Sequence, residues 1–322
     1  MRAVLVSRFG GPEVLAPTTL PDPVPGPGQV VVAAAAVDVL NVETSIRAGR
    51  ATAYFSVRPP YVPGGGIAGT VRAIGSGVSP SWTGRRVVTR LADWGGYAEL
   101  GLASAADLVP VPDGLGLLEA AALVHDGPTA LGIVRATNPF PGEWVLVLPA
   151  VGGAGSLLVQ LAVQAGARVV GAARGVRKLA LARGLGAEAV VDYSDPDWVD
   201  QVGVMTGAGP DVVLDGVGGK TGRMAFEVAA EGGRFSAHGA PGGAFAPVEQ
   251  VEADRRGITL RGIADVQFPP AEAKRLLQQA VRDAAVGRLR PVIGQTFPLE
   301  NAAEAHTAIE DRRVLGKTLL LV

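Results

Sequence analysis

Residues 144–158 of the chain read Trp144-Val145-Leu146-Val147-Leu148-Pro149-Ala150-Val151-Gly152-Gly153-Ala154-Gly155-Ser156-Leu157-Leu158. The run of bulky apolar residues predicts a buried strand, the glycines predict a turn, and the apolar spacing that follows predicts a helix. A glycine turn can be a mere tight connection, but the flanking strand and helix are the context in which such a turn binds a dinucleotide. The turn lets the backbone approach a pyrophosphate, whose charge the helix N-terminus favours. In the pattern G-x-G-x-x-G the matching residues are Ala150, Gly152 and Gly155, with Gly153 and Ala154 between them, so the first glycine is replaced.

The segment after this turn predicts a preference for NADPH over NADH. Ala167–Ala173 reads as a second apolar strand, which completes a βαβ unit of about 30 residues. An NAD-binding unit usually ends this strand with Asp or Glu, which holds the ribose 2′-hydroxyl. Here Arg174 follows the strand, and Arg177 and Lys178 come just beyond it. These cations suit the 2′-phosphate of NADPH; the alternative is that they are solvated charges at the start of a helix.

Composition restricts the class of protein. The 322 residues are enough for two domains, and 29 Lys and Arg against 30 Asp and Glu argue against a nucleic-acid partner. The chain has no cysteine, which excludes disulfides, thiolate catalysis and cysteine zinc sites. Its three histidines are far apart and lack ligand spacing, so we expect no metal. There is no run of 18 apolar residues and no signal-peptide pattern, so we expect a cytoplasmic protein with no membrane partner.

The order of elements predicts an α/β protein of two domains. The first ~120 residues read as short strands separated by turns, as in a β-rich module. The pattern changes to helix over 116–131, and strands then alternate with helices as in a doubly wound parallel sheet. Ala271–Val286 reads as a helix and Gly316–Val322 as a final strand. The later strands of the doubly wound sheet are expected at Ala187–Asp192, Asp211–Leu214, Gly233–His238 and Ile258–Ile263.

Short motifs occur along the whole chain: Phe9-Gly10-Gly11-Pro12-Glu13-Val14-Leu15, Val42-Glu43-Thr44 with Ile46-Arg47-Ala48-Gly49, Gly95-Gly96-Tyr97-Ala98-Glu99, Gly152-Gly153-Ala154-Gly155, Pro298-Leu299-Glu300 with Glu304-Ala305-His306, and Gly316-Lys317. In this order and spacing they resemble the zinc-independent quinone oxidoreductases of the medium-chain dehydrogenase/reductase superfamily, the group that includes zeta-crystallin. The resemblance implies a GroES-like (chaperonin-10-like) catalytic domain of residues 1–122 with 288–322. It also implies a Rossmann NADPH-binding domain of residues 123–287, and a homodimer that pairs through the edge strand 258–263.

The resemblance also implies where the cofactor lies. The nicotinamide is expected between Thr129, the turn Asp215-Gly216-Val217 and the segment Ser236-Ala237-His238-Gly239. Contacts to the ribose and the 2′-phosphate are expected from Lys178 and Tyr193. Lys317, in the closing motif, is also expected to bind the cofactor.

The substrate end departs from the family pattern. Relatives carry Asn-Pro where this chain has Leu40-Asn41, and a tyrosine where it has Ser45; the usual acidic residue is glycine at Gly66. Asn41 and Tyr54 are therefore the candidate catalytic residues, together with His238, and Tyr61 is a further candidate. An ordinary loop or packing role is the alternative for each. Because a histidine titrates near neutral pH, His125 or His238 could supply a proton, although a structural role is the preferred interpretation for His125.

These patterns predict a metal-free oxidoreductase that uses NADPH. It would deliver hydride to a quinone or to an α,β-unsaturated carbonyl compound, either an enone or an enoyl substrate. The altered substrate positions leave a second hypothesis, an NADPH-binding sensor or structural protein with little turnover. A biosynthetic tailoring protein is a related possibility.

Overall fold

The computed structural model describes residues 1–52 and 54–322. Its strands are β1 (Arg2–Val6), β2 (Leu15–Thr19), β3 (Gln29–Val39), β4 (Gly66–Ile74), β5 (Arg86–Arg90), β6 (Leu100–Ser104), β7 (Val109–Pro110), β8 (Trp144–Leu148), β9 (Arg168–Ala173), β10 (Ala189–Asp192), β11 (Val212–Asp215), β12 (Arg234–Ala237), β13 (Thr259–Gly262), β14 (Ile293–Pro298) and β15 (Lys317–Leu321). Its α-helices are α1 (Asn41–Arg47), α2 (Leu117–Leu123), α3 (Asp126–Thr137), α4 (Gly153–Gln164), α5 (Val176–Gly184), α6 (Trp198–Thr206), α7 (Gly219–Glu227), α8 (Gln250–Arg255), α9 (Pro270–Ala285) and α10 (Ala302–Glu310).

The chain divides into two compact units. The first unit consists of Met1–Pro128 with Pro270–Val322, and the second of Thr129–Pro269. These bounds differ from the expected domain bounds of 1–122 with 288–322 and 123–287. The difference at the C-terminal side is helix α9, which packs against α2 and β7 of the first unit through its buried apolar face. The resemblance had implied that this helix belongs to the Rossmann domain of residues 123–287.

The second unit contains a six-stranded parallel sheet with the order β10-β9-β8-β11-β12-β13. Numbered from β8, this is the order 3-2-1-4-5-6 of doubly wound dinucleotide-binding sheets. Parallel strands are covered on both faces, which explains why β8 is almost continuously apolar. The core on these faces includes Leu146, Trp198, Phe226 and Phe235. From β8 the chain continues to β9 and β10 on one side and then returns to β11 on the other side of β8. Such sheets bind ligands at this reversal, between β8 and β11.

The first unit is organised around β3, an 11-residue strand. β3 pairs antiparallel with β15, β4 and β6, so the last strand of the chain lies beside one of the first. The main sheet has the order β14-β15-β3-β4-β5-β7, and β1 and β2 form a separate hairpin. The β-rich character expected for this part of the chain is therefore confirmed.

The individual elements of the second half also follow their predictions. The four later strands of the doubly wound sheet are observed as β10, β11, β12 and β13, each shifted by no more than a few residues. β12 is shorter than expected, so His238 lies in the turn beyond it. The predicted helix at 271–286 is α9, and the predicted final strand is β15.

Among residues 1–52 and 54–322, no single helix is both long and apolar enough to cross a membrane. The pair α2 and α3 meets the length and composition requirement only when the two helices are taken together across a bend of 45°.

Candidate active site

The glycine turn lies between β8 and α4 in the second unit. Gly152 is the residue before the first turn of α4, and its extended backbone directs the helix N-terminus toward the carboxyl edge of the sheet. A Cβ atom on Gly152 would meet nothing closer than Pro149 Cγ at 3.5 Å, so the protein itself does not require glycine there. A Cβ atom on Gly155 would lie 1.8 Å from the carbonyl oxygen of Pro149. Gly155 therefore lets the helix pack against the strand, whereas Gly152 leaves room for a ligand.

Strand β11 lies next to β8 and ends at the same edge of the sheet. Asp215 ends β11 and is in register with Leu148 of β8 and with Ala237 of β12. Its side chain turns into its own loop, where Oδ1 accepts the backbone N–H groups of Val217 and Gly218, each at 2.9 Å. Burial raises the pKa of this carboxyl to about 6, although the two N–H groups oppose the shift. Asp215 therefore holds the turn in shape and offers the backbone, not the carboxylate, to a cofactor.

His238 follows β12 and lies against the same turn. Its backbone N–H donates to the carbonyl oxygen of Asp215 at 2.9 Å, and its Nδ1 is 3.2 Å from the hydroxyl of Ser236. Gly239 approaches the turn so closely that a Cβ atom there would lie 2.2 Å from the oxygen of Gly216. Burial lowers the pKa of His238 to about 4, so the ring is neutral at pH 7. This neutrality argues against His238 as the proton source that the sequence left open.

The cations predicted to hold a 2′-phosphate gather after β9. The guanidinium of Arg174 lies 5.1 Å from the ring centroid of Tyr193, which follows the adjacent strand β10. Arg174 and Arg177 are exposed, and Lys178 is half-buried in the first turn of α5. The sequence analysis missed Asp192, which ends β10 and accepts the N–H of Gly175 at 2.8 Å. Burial opposes its ionisation, but hydrogen bonds from Ser194 and Gly175 keep the pKa of Asp192 below its usual range.

Replacing Arg174 with alanine is expected to weaken NADPH binding about 10-fold and to leave NADH binding within about twofold. The reason is that a charge-assisted hydrogen bond to a phosphate contributes about 1.5–3 kcal/mol, and NADH has no 2′-phosphate. Fluorescence titration with both cofactors measures the effect. Arg183→Ala removes an exposed arginine from the last turn of α5, the helix that follows Arg174, and is the control. An equal loss of affinity for both cofactors would contradict a 2′-phosphate contact.

Lys317 lies in a buried group of charged side chains within the first unit, and its contact with the cofactor stays a prediction. Its ammonium is only 4% exposed and lies 3.2 Å from Asp38 Oδ2 and 3.1 Å from Asp126 Oδ2. The ring of His125 also contacts Asp38, with Nδ1 at 2.8 Å from the same Oδ2. We call Asp38, His125, Asp126 and Lys317 the ionic cluster. Burial lowers the pKa of Lys317, but the charges of Asp126 and Asp38 outweigh burial and raise it above its usual range.

The ionic cluster forms because β3 and β4 pair beside Gly66. Val37 is in register with Ile67, which places Asp38 next to Gly66. A Cβ atom on Gly66 would lie 2.8 Å from Asp38 Oδ1 and 2.9 Å from the Cε1 of His125. The glycine that replaces the usual acidic residue therefore makes room for a carboxylate that comes from the neighbouring strand.

A second buried polar group lies in the same unit. The hydroxyl of Tyr97 is 2.9 Å from Glu43 Oε2 and 2.9 Å from the Nε2 of His306. Glu43 also accepts the backbone N–H of Leu40 at 3.0 Å, which fixes the first turn of α1. Burial, reinforced by the charge of Asp38, raises the pKa of Glu43 to about 7. These residues carry the family motifs around 43, 97 and 306, so those motifs mark a packed interior and not a binding surface.

Glu43 is expected to make folding stability depend on pH. Its pKa is higher in the folded chain than the 4.5 of the free side chain, so stability falls as pH rises from about 4.5 through 7. Over this range the free energy of unfolding of the wild type should fall by about 3 kcal/mol, because one pKa unit corresponds to about 1.4 kcal/mol. Glu43→Gln should not show this fall. Urea unfolding at pH 5 and pH 8 measures the difference. Glu272→Gln, which removes a half-buried carboxylate paired to the exposed Arg275, should keep the wild-type slope. The same slope in Glu43→Gln would contradict the assignment.

The predicted substrate residues Asn41, Tyr54 and Tyr61 lie in the first unit, and two of them are exposed. Asn41 is the exposed first residue of α1, and its carbonyl oxygen accepts the hydroxyl of Thr44 at 2.8 Å. The side chain of Tyr54 is 81% exposed. Tyr61 is half-buried, and burial raises its pKa to about 12, so its hydroxyl stays protonated. No group of three His, Cys, Asp or Glu side chains among the described residues is arranged to hold a metal ion.

Comparison with known proteins gives two matching families. Residues 26–113 match the alcohol dehydrogenase GroES-like domain, and residues 185–320 match a family described as zinc-binding dehydrogenase. A 2-haloacrylate reductase from Burkholderia sp is 31% identical over 99% of this chain and 98% of its own length. A quinone oxidoreductase from Sus scrofa is 32% identical over 100% of this chain and 98% of its own length.

The crystal structure of Escherichia coli quinone oxidoreductase complexed with NADPH superposes with a TM-score of 0.92 and 26% identity, over all of both chains. The likeness extends over both units of this chain. Together with the GroES-like match, it confirms the predicted fold class, a GroES-like domain combined with a Rossmann-type parallel sheet.

Proposed function

This chain belongs to the medium-chain dehydrogenase/reductase superfamily, and on that premise we propose that it is an NADPH-dependent, metal-free reductase of quinones or α,β-unsaturated carbonyl compounds. The superfamily relatives support an oxidoreductase. The observation that carries the proposal is the carboxyl edge of the parallel sheet in the second unit. There an open glycine turn, a helix N-terminus and a group of cations follow one another along the positions where a dinucleotide binds.

The residues at this edge fit NADPH. The space next to Gly152, where a Cβ atom would meet only ordinary contacts, suits a pyrophosphate at the N-terminus of α4. Arg174 and Arg177 are exposed beside the ring of Tyr193, where a phosphorylated ribose needs cations. Asp192, which would compete for the 2′ position, is already bound to Gly175 and Ser194. We therefore propose NADPH as the cofactor, held by the backbone of residues 150–155 and by these cations.

The cofactor, when bound, supplies the hydride; the chain binds, orients and protects it. Asp215 fixes the turn that ends at Gly218, so that the backbone of Gly216 and Val217 forms a rigid wall. The backbone of Gly239 packs closely against Gly216 and supports the same turn. Thr129 and His238 are the side chains that we propose to face the nicotinamide. The relatives that reduce quinones and 2-haloacrylate support an electron-poor C=C or quinone as acceptor.

Mixing the purified protein with NADPH and a panel of quinones, enones and 2-haloacrylate tests this function. We expect the absorbance of reduced nicotinamide to fall with at least one acceptor, and we expect a lower Kd for NADPH than for NADH. Tight binding of NADPH with no turnover across the panel would instead support a sensor. No binding of either cofactor would overturn both hypotheses.

We also propose a homodimer that pairs through β13. This strand is hydrogen-bonded to β12 on one side and lies at the end of the sheet order within the described residues. An uncovered strand edge favours pairing with another strand. Light scattering on the full chain should give the mass of two copies, and Leu260→Pro should give one.

A further inference from the structure

We propose that Asp192 is a positioning residue that sets the preference of this chain for NADPH, because it holds the backbone beside Arg174 in place. This role deepens the proposed function and rests on it, since Arg174 selects NADPH only if that cofactor binds. Every residue concerned belongs to the second unit and lies at the carboxyl ends of β9 and β10.

Strands β9 and β10 are parallel neighbours that end together. Asp192, the last residue of β10, is in register with Ala173, the last residue of β9. The pairing continues one residue further, where the backbone N–H of Tyr193 donates to the carbonyl oxygen of Ala173 at 3.2 Å. Arg174 follows Ala173 directly, so the residues that leave the two strands meet at one edge of the sheet.

The carboxylate of Asp192 holds the connection between β9 and α5. Its Oδ2 accepts the backbone N–H of Gly175 at 2.8 Å. Its Oδ1 accepts the backbone N–H of Ser194 at 2.9 Å and also the hydroxyl of that serine. Burial acts to raise the pKa of Asp192, but hydrogen bonds from Ser194 and Gly175 and the charge of Arg174 keep it below its usual range. The group is therefore an ionised carboxylate at pH 7, with three donors that fix its orientation.

Gly175 adopts a backbone conformation that is open essentially to glycine alone. Its φ is 82° and its ψ is 150°. A Cβ atom there would meet nothing within 4 Å, so the position requires glycine for its conformation and not for lack of space. The carbonyl oxygen of Gly175 accepts the N–H groups of Lys178 and Leu179, which begins α5. By binding the N–H of this residue, Asp192 fixes the direction in which the chain leaves Arg174 and enters the helix.

The side chain of Arg174 is restrained from the adjacent strand. Its guanidinium lies 5.1 Å from the ring centroid of Tyr193, a distance at which a cation and an aromatic face attract each other. Arg174 is nevertheless exposed, so this contact orients the guanidinium without enclosing it. A side chain that is oriented before its ligand arrives loses less conformational freedom on binding, which increases affinity.

A carboxylate at this edge has a second conceivable effect, which is to repel the 2′-phosphate. NAD-binding sheets end the strand that corresponds to β9 with Asp or Glu, which binds the ribose 2′-hydroxyl. Asp192 ends β10 instead, one strand further from the glycine turn, and both of its oxygens are bound to the backbone. The two effects differ in sign. Removing a positioning carboxylate weakens the binding of a 2′-phosphate, whereas removing a repelling carboxylate strengthens it.

The first experiment measures the binding of adenosine 2′,5′-bisphosphate and of 5′-AMP to the full chain by calorimetry. The two probes differ only in the 2′-phosphate, so the ratio of their Kd values isolates the contact to that group. In Asp192→Ala we expect the preference for the bisphosphate to fall about fivefold, and the Kd for 5′-AMP to stay within about twofold of the wild type. The retained binding of 5′-AMP shows that the variant is folded. An unchanged or increased preference for the bisphosphate would overturn the proposal.

Asp192→Asn separates the hydrogen bond from the charge. The amide keeps a side-chain oxygen that can accept the N–H of Gly175, but it carries no charge. We expect Asp192→Asn to keep the preference for the bisphosphate within about twofold of the wild type, because the connection stays held. A loss as large as that in Asp192→Ala would show that the charge of Asp192, and not its hold on the backbone, sets the preference.

A double variant tests whether Asp192 acts through Arg174. In the background of Arg174→Ala, the further change Asp192→Ala should alter the preference for the bisphosphate by less than about twofold, because residues that serve one contact are not additive. Losses that add in full would show that Asp192 acts elsewhere and would overturn its positioning role.

Glu188→Ala is the matched control. Glu188 is an exposed carboxylate directly before β10, and it pairs at 2.6 Å with Arg168, the first residue of β9. It therefore joins the same two strands at their amino ends, and we expect it to leave the preference for the bisphosphate unchanged. An equal loss in Glu188→Ala and Asp192→Ala would overturn the specific role of Asp192. A wild type that binds both probes equally would instead overturn the NADPH proposal itself.

Discussion

Replacing Gly155 with alanine is expected to lower the free energy of unfolding by about 3 kcal/mol and to weaken NADPH binding about 100-fold. The new Cβ atom would lie 1.8 Å from the carbonyl oxygen of Pro149, a backbone atom that no side-chain rotation can move. Helix α4 must therefore shift away from β8, which costs packing and displaces the N–H groups that face a pyrophosphate. Urea unfolding and fluorescence titration with NADPH measure the two effects.

Gly152→Ala is the matched variant, three residues earlier in the same turn. Its φ of −74° suits any residue, and its Cβ atom would meet only Pro149 at 3.5 Å. We expect its free energy of unfolding to stay within about 0.5 kcal/mol of the wild type, as for most substitutions away from buried features. Its NADPH affinity should nevertheless fall, because the pyrophosphate needs the space that the methyl group takes. Loss of stability in Gly152→Ala, or unchanged stability in Gly155→Ala, would contradict this division of roles.

Replacing Lys317 with methionine is expected to destabilise the first unit by about 3–5 kcal/mol. Removing one member of a buried ion pair leaves the other charge without its partner, and that cost exceeds the net contribution of the intact pair. Here the loss leaves the fully buried carboxylate of Asp38 without the ammonium, beside the ring of His125. Hydrogen exchange of the β3 and β15 amides gives a reading local to this sheet, and urea unfolding gives the total.

The double variant Asp38→Asn with Lys317→Met separates charge from packing. Because both buried charges of that pair are gone, we expect it to recover at least about half of the stability that Lys317→Met loses. Asp283→Asn removes a carboxylate that pairs with the exposed Arg288 and controls for the general effect of such a loss in this unit. A double variant no more stable than Lys317→Met would show that the lysine side chain stabilises the unit mainly by its bulk.

The cofactor half of the candidate site was predictable from the sequence because its signals are local. A strand, a glycine turn and a helix lie within 15 consecutive residues, and Arg174 follows the next strand. The spacing of apolar residues and the presence of turn-forming residues predict such an arrangement directly from the sequence. The role of Asp215 could not be predicted in the same way. Its position beside the turn is evident, but only the folded backbone shows that its carboxylate binds its own loop.

The ionic cluster was not predictable, since its members are far apart along the chain. Asp38 and His125 are 87 residues apart, and Lys317 is the first residue of β15. Asp38 stands between two valines, where the alternation of a half-buried strand would place a single polar residue on the solvent face. In β3, however, residues 36–39 are all buried. Gly66 offered a signal that went unused: a glycine in place of an expected acid marks space that another side chain fills. The candidates Asn41 and Tyr54 were proposed as replacements for the altered positions Leu40 and Ser45, and both side chains lie on the surface.

The place of β15 has a consequence for the order in which the protein forms during synthesis. Residues 129–269 are one continuous segment and contain every strand of the six-stranded sheet, so this unit can fold while later residues are still being translated. The sheet built on β3 must wait, because β3 leaves the ribosome early and its neighbour β15 leaves it last. Until then the carboxylate of Asp38 has no ammonium to meet, and the apolar edge of β3 is open to any other chain. The nascent first unit is thus the part of this protein most in need of a chaperone.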